Sequence, residues 1–317
     1  MLRTVLFLAF ALTSATAQAQ QYPASPVRVL VGFTAGSGPD LQARTISQQL
    51  ATDLKQSFYI ENRLGANGTI AARMVAQAPP DGLTLLFSSS SIAPTPHIYK
   101  SLGYDTLTDL RPIATSGILD GLLVLVEAKS PWKTMADLIA AAKAGRVLYG
   151  SPGVGNALHL APEVFAQKAG ITLQHVPYKG ASEVVTALLT GSVQMMFVTP
   201  VSVVGLVKEG KLRALAFTGS KPFPEFPDVP LLKDIVPGYE GSGSWGMFYA
   251  PGKTPDAIAD TLNSAVRAAL KVPAVASIMQ RDGYVPDNRN AAETAAFFRK
   301  EVEAAGEAVK AAKIEPN

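Results

Sequence analysis

The 317-residue sequence contains no cysteine. Disulfides, thiolate nucleophiles and Cys-ligated zinc are therefore excluded. Histidine is nearly as scarce. His97, His159 and His175 are the only three, and no pair has the i, i+4 spacing of a helical metal site. No metal and no cofactor is expected. An excess of one charge sign is also lacking, because 28 Lys+Arg against 25 Asp+Glu leave only +3. Without a concentrated basic arm or helix, nucleic acid has no electrostatic footprint here. No apolar run reaches the ~20 residues that span a bilayer. At 48% apolar content, collagen and bulk disorder drop out.

Catalytic signatures are equally scarce. Gly241-Ser242-Gly243-Ser244-Trp245-Gly246 spells G-x-G-x-x-G, but it precedes a strand-like run instead of following one and opening a helix. No G-x-x-x-x-G-K-[ST] and no G-x-S-x-G is present. The chain is therefore expected not to be an enzyme, with a hydrolase triad assembled in space as the lesser alternative.

What is there begins with an address. Arg3, the apolar run Val5–Leu12 and the closing Ala17-Gln18-Ala19 form a secretory signal peptide with cleavage after Ala19. A periplasmic location is expected. The remainder is long enough to bury about three quarters of its unfolded surface, and its length suggests two domains.

Short apolar strands then alternate with helical stretches, twice. Val27–Phe33, Phe58–Glu61 and Leu83–Phe87 read as buried strands, with helices at Leu41–Leu54 and Thr69–Ala78 between them. After Arg111–Ser116 the pattern restarts with strands at Leu122–Glu127, Val147–Gly150, Thr172–Val176, Gln194–Val198 and Leu212–Thr218. A strand-like Ser244–Ala250 and two long helices, Pro255–Leu270 and Ala291–Ala312, close the chain. This alternation predicts an α/β fold of two lobes, with two mixed, mostly parallel sheets joined by crossing strands. The expected division is a signal peptide over 1–19, lobe 1 over 20–118, lobe 2 over 119–242, and a return to lobe 1 over 243–317.

Two glycine-rich turns follow strand ends and open helices: Thr34–Asp40, with Gly38 expected as N-cap, and Ser151–Asn156. Ligands of open sheets bind at such carboxyl ends. Free backbone N–H groups and a helix dipole make each turn an anion site.

Several segments carry a family resemblance. These are Phe33–Asp40, Glu61-Asn62-Arg63-x-Gly65-Ala66-x-Gly68, Pro80-Asp81-Gly82-x-Thr84, Ser151-x-Gly153-x-Gly155, and His175-Val176-Pro177-Tyr178-Lys179-Gly180. Gly210–Ala216, Pro227-Asp228-Val229-Pro230 and Trp245-Gly246-x-Phe248-x-Ala250-Pro251 continue the series. In this order and spacing, the chain from Tyr22 to about Ile314 resembles the Bug-type solute receptors of the tripartite tricarboxylate transporter family. The resemblance implies a two-lobed (type II) periplasmic binding protein. It would hold a small di-, tri- or aromatic carboxylate between its lobes and pass it to membrane transporter subunits. A monomer is expected. A sensor-linked receptor with the same ligand class is the alternative.

The candidate ligand-binding residues are Phe33, Thr34, Ala35, Gly36, Ser37 and Asp40 in the first turn, and Ser88 and Ser89 at a strand end. Gly153, Val154, Gly155, Asn156 and His159 follow from the second turn, with Tyr178 and Thr199 at two further strand ends. Some have plain rivals. Phe33 suits a core as well as a cleft. Asp40 reads better as loop support, because a bare carboxylate repels an anionic ligand. His159, in the first turn of its helix, is a neutral imidazole by either reading, ligand contact or satisfied structural group. Lys179 suits an exposed surface, Glu61 and Arg63 pair to hold a loop, and Trp245 is a core or hinge aromatic.

Overall fold

The computed structural model describes residues 22–239, 243–281, 283–312 and 314–316. The signal-peptide segment 1–19 lies outside the described residues. Lobe 1 begins with β1 (Val27–Val31), α1 (Gly38–Leu54), β2 (Phe58–Asn62), α2 (Thr69–Ala76), β3 (Thr84–Ser89), the short α3 (Thr95–Ile98) and β4 (Leu110–Leu119). Lobe 2 holds β5 (Leu123–Glu127), α4 (Met135–Ala144), β6 (Leu148–Ser151), α5 (Ala157–Ala169), β7 (Gln174–Pro177) and α6 (Ala181–Leu189). It continues through β8 (Met195–Val198), α7 (Val204–Lys208), β9 (Leu212–Phe217) and α8 (Leu232–Ile235). The chain then returns through β10 (Ser244–Pro251), α9 (Asp256–Ala269), α10 (Pro273–Arg281), β11 (Tyr284–Val285) and α11 (Ala291–Ala311).

The two sheets have the orders β11-β4-β10-β3-β1-β2 and β7-β6-β8-β5-β9. Both are mixed, as expected, but neither is mostly parallel. β1 pairs parallel with β2 and β3, and β6 with β7 and β8, whereas β3-β10, β10-β4, β4-β11, β8-β5 and β5-β9 are antiparallel. The local strand–helix alternation of each half does generate parallel pairs. The antiparallel ones come from strands far apart in the chain, where alternation carries no information.

Fully buried strands explain the continuous apolar runs. β10 is buried along its whole length and sits between β3 and β4, with Phe248 edge-on to Phe87 at 4.8 Å. Each such side chain contributes about 1.5–3 kcal/mol by leaving water. Trp245 is core: it packs against Phe297 and Phe298 of α11, and its indole N–H donates to Glu301 at 2.8 Å.

The sheets join at the β4–β5 connection, where backbone packs against backbone on both flanks. A Cβ built on Gly243 would stand 2.3 Å from the Leu119 carbonyl oxygen, and one on Gly121 2.3 Å from the Gly219 amide nitrogen. Only glycine allows backbones this close. Asp120 pins the same region, accepting from the Ser220 amide at 2.7 Å and hydroxyl at 2.8 Å.

Candidate ligand cleft

A cavity of about 850 Å³ opens between the lobes. Lobe 1 lines it with Gly32–Pro39, Leu64–Asn67, Ser89, Ser91 and Tyr99, and later with Ser244 and Tyr284. Lobe 2 contributes Pro152, Gly153, Val154, Asn156–Leu158, Tyr178–Ser182, Glu183, Val185, Thr199 and Ser202.

The first turn is held from below by a carboxylate. Asp40 is almost fully buried and accepts from the Gly36 amide at 2.8 Å, Asn62 at 2.8 Å, and Arg44 through Nε at 2.9 Å and Nη2 at 3.1 Å. Burial alone would raise its pKa. The hydrogen bonds from Arg44, Asn62 and Gly36, with the Arg44 charge, outweigh that and hold it below the usual carboxylate value. Asn62 also donates to the Phe33 carbonyl at 2.9 Å, so one network shapes the whole turn. Gly36 has φ +78°, a conformation that strains any side chain. The N-cap of α1 is Ser37, one residue before the expected Gly38. Its hydroxyl makes no cap bond, and its oxygen is buried without a partner at the edge of the cavity.

The second turn rests on aromatic and imidazole rings. Gly153 and Gly155 have φ +130° and +72°, and Asn156 caps α5 by accepting from the Leu158 amide at 2.9 Å. His159 Nδ1 accepts from the Gly155 amide at 2.8 Å, which places the ring proton on Nε2. The ring stacks on His175, whose Nε2 lies 2.6 Å from Ser151 Oγ, and Tyr149 flanks both. Burial, and then the neighbouring His175, push His159 down to about 3, and burial pushes His175 down to about 4. Both imidazoles are neutral at ordinary pH. Beside them the Tyr149 hydroxyl donates to Glu163 at 2.5 Å, and burial raises Glu163.

The cavity therefore gathers Phe33, Thr34, Ala35, Gly36, Ser37, Ser89, Gly153, Val154, Asn156, Tyr178 and Thr199. It does not gather Asp40, Ser88, Gly155 or His159. Asp40 and His159 sit behind their turns as supports. Ser88 is buried within β3 and points to the opposite face from Ser89, as alternate strand residues must. Gly155 is turned toward Ile98 of α3, which a Cβ would meet at 2.1 Å. Lys179 is exposed as expected, yet it stands on the cavity rim beside Glu183, whose carboxylate accepts from the Lys179 amide at 3.1 Å. Glu61 and Arg63 do pair.

Sequence reading missed Leu64–Asn67, Tyr99, Ser244 and Tyr284. The run Gly65-Ala66-Asn67-Gly68 carried a signal, since two glycines so close imply unusual backbone. Tyr99 and Tyr284 carried none.

Three helices, α1, α5 and α6, open on this one cavity by their N-termini, at Gly38–Pro39, Ala157–Leu158 and Ala181–Ser182. Among the described residues, the only charged side chains in its lining are Lys179 and Glu183. Over residues 42–314 the sequence matches the tripartite tricarboxylate transporter family receptor. The chain belongs to that receptor family. Members are periplasmic solute-binding proteins rather than enzymes, and the two-lobed fold is theirs. BugT of Bordetella pertussis is 32% identical over 303 residues, covering 94% of this chain and 92% of BugT. Among solved structures, Rpa4515 of R. palustris with adipate is 31% identical with a TM-score of 0.87, covering 93% of this chain and all of that one. MatC from Rhodopseudomonas palustris with bound malate is 29% identical with a TM-score of 0.82, covering 91% and 100%.

Proposed function

We propose that this receptor captures a small carboxylate in the cleft and delivers it to the membrane subunits of a tripartite tricarboxylate-type transporter. The observation that carries the reading is the convergence of three helix N-termini on one cavity. Aligned peptide dipoles and unpaired N–H groups favour an anion there. The unpartnered Ser37 hydroxyl adds a donor. The adipate of Rpa4515 and the malate of MatC support the same ligand class.

Export by the 1–19 leader, with the mature chain starting at Gln20, and the lobe boundaries near 119 and 243 are part of this reading. Thermal unfolding with adipate, malate, aromatic monocarboxylates and their amides tests it. A carboxylate at 100 times its Kd adds about 2.7 kcal/mol to stability. Stabilisation by the amides but by none of the acids would overturn it.

A further inference from the structure

The loop Gly65–Gly68 runs through four consecutive positive φ values: +125° at Gly65, +47° at Ala66, +56° at Asn67 and +86° at Gly68. Two of the four are not glycine, and an L side chain is strained in this region, alanine more than asparagine. Surrounding backbone enforces the conformation. The Gly68 amide donates to the Gly65 carbonyl at 2.9 Å, and a Cβ on Gly32 would come within 2.4 Å of Gly68 Cα. Glycine at position 67 would accept this backbone without strain, yet asparagine stands there.

What it does is visible. Asn67 Nδ2 donates to the Val154 carbonyl at 2.7 Å and to the Tyr99 hydroxyl at 3.3 Å. Val154 belongs to the second glycine-rich turn, on the other lobe. Both amide hydrogens are committed to protein acceptors, and Asn67 Oδ1 faces Gly153, where a Cβ would stand 3.2 Å away. The lobe-1 loop thus reaches across the cleft mouth and reads the backbone of the turn opposite, with Tyr99 fixing the amide's orientation.

From this juxtaposition we infer that Asn67 is an inter-lobe clasp: a positioning residue that holds the second glycine turn against lobe 1 without ligand, and so sets the closed population from which tight binding proceeds. The bond to Val154 exists only while the lobes are together. Apparent affinity falls with the fraction of binding-competent protein, so loosening the clasp weakens binding by lowering that fraction. Only the ligand arm of the test below rests on the carboxylate reading.

The absence of native cysteine permits a clean measurement. Spin labels at Q48C on α1 and K143C on α4, both exposed positions, report the lobe-to-lobe distance in ligand-free protein. N67G keeps the left-handed backbone and deletes the amide. N67D keeps the shape, deletes the donor and adds a negative charge, so the affinity is read on N67G. Both should lengthen and broaden the distance distribution while the thermal midpoint stays near wild type. Adipate affinity should fall about fivefold, the equilibrium worth of one net hydrogen bond. Wild-type distributions in both folded variants would overturn the clasp. If adipate fails to bind even wild type, the ligand reading suffers, while the ligand-free distances still decide the clasp.

Discussion

The imidazoles of His159 and His175 stack with centroids 3.8 Å apart and planes 17° apart, at the root of the second glycine-rich turn. Because burial holds both neutral, the unfolded chain takes up protons near pH 6.5 that the folded chain refuses until about pH 3 to 4. Stability is therefore full above pH 6.5 and falls as pH drops toward 4. Urea midpoints at pH 7.5 and pH 5 should show a decline that H175Q flattens. A wild-type midpoint that does not change across this window would refute the assignment.

Gly155→Val is expected to hurt for a reason other than lost anion contacts. Its φ of +72° disfavours valine, and the new side chain meets Ile98 across the lobe boundary. The loss should appear as weaker binding together with a larger ligand-free radius of gyration in small-angle scattering. Gly155→Ala should show the same direction at smaller size.

Lys179→Met should weaken carboxylate binding by no more than a few-fold, since Lys179 is an exposed rim residue and three helix N-termini share the anion. Ser37→Ala should cost about 1.5–3 kcal/mol, the worth of a hydrogen bond to a charged acceptor. Isothermal calorimetry on both variants ranks them. Abolished binding in the lysine variant with tolerance of the serine variant would mean a lysine-centred ion pair.

Asp40→Ala removes the acceptor shared by Gly36, Asn62 and Arg44. Leaving those donors unpaired should cost about 1–3 kcal/mol of stability and disorder the first turn. Asp40→Asn should recover part of the loss. Denaturant unfolding of the pair measures both.

The cleft was partly legible because turns advertise their backbone needs. Gly36, Gly153 and Gly155 sit where φ is positive, and Asn156 caps the helix that follows the second turn. Asp40 as loop support and Trp245 as core were readable from charge and size. What escaped depends on long-range packing. β11 has two residues and β4 pairs with strands more than a hundred residues later, so no local pattern announces Tyr284 or Ser244 at the cavity. Tyr99 arrives through a four-residue helix that periodicity cannot detect. Face assignment failed at Ser88 because a row of serines offers no apolar alternation to set the phase.

The β4–β5 connection is wedged backbone to backbone on both flanks, by Gly243 against Leu119 and by Gly219 against Gly121. A junction packed this closely leaves no slack for a side chain, so the spacing between the two sheets is set at its root by the glycine backbone itself.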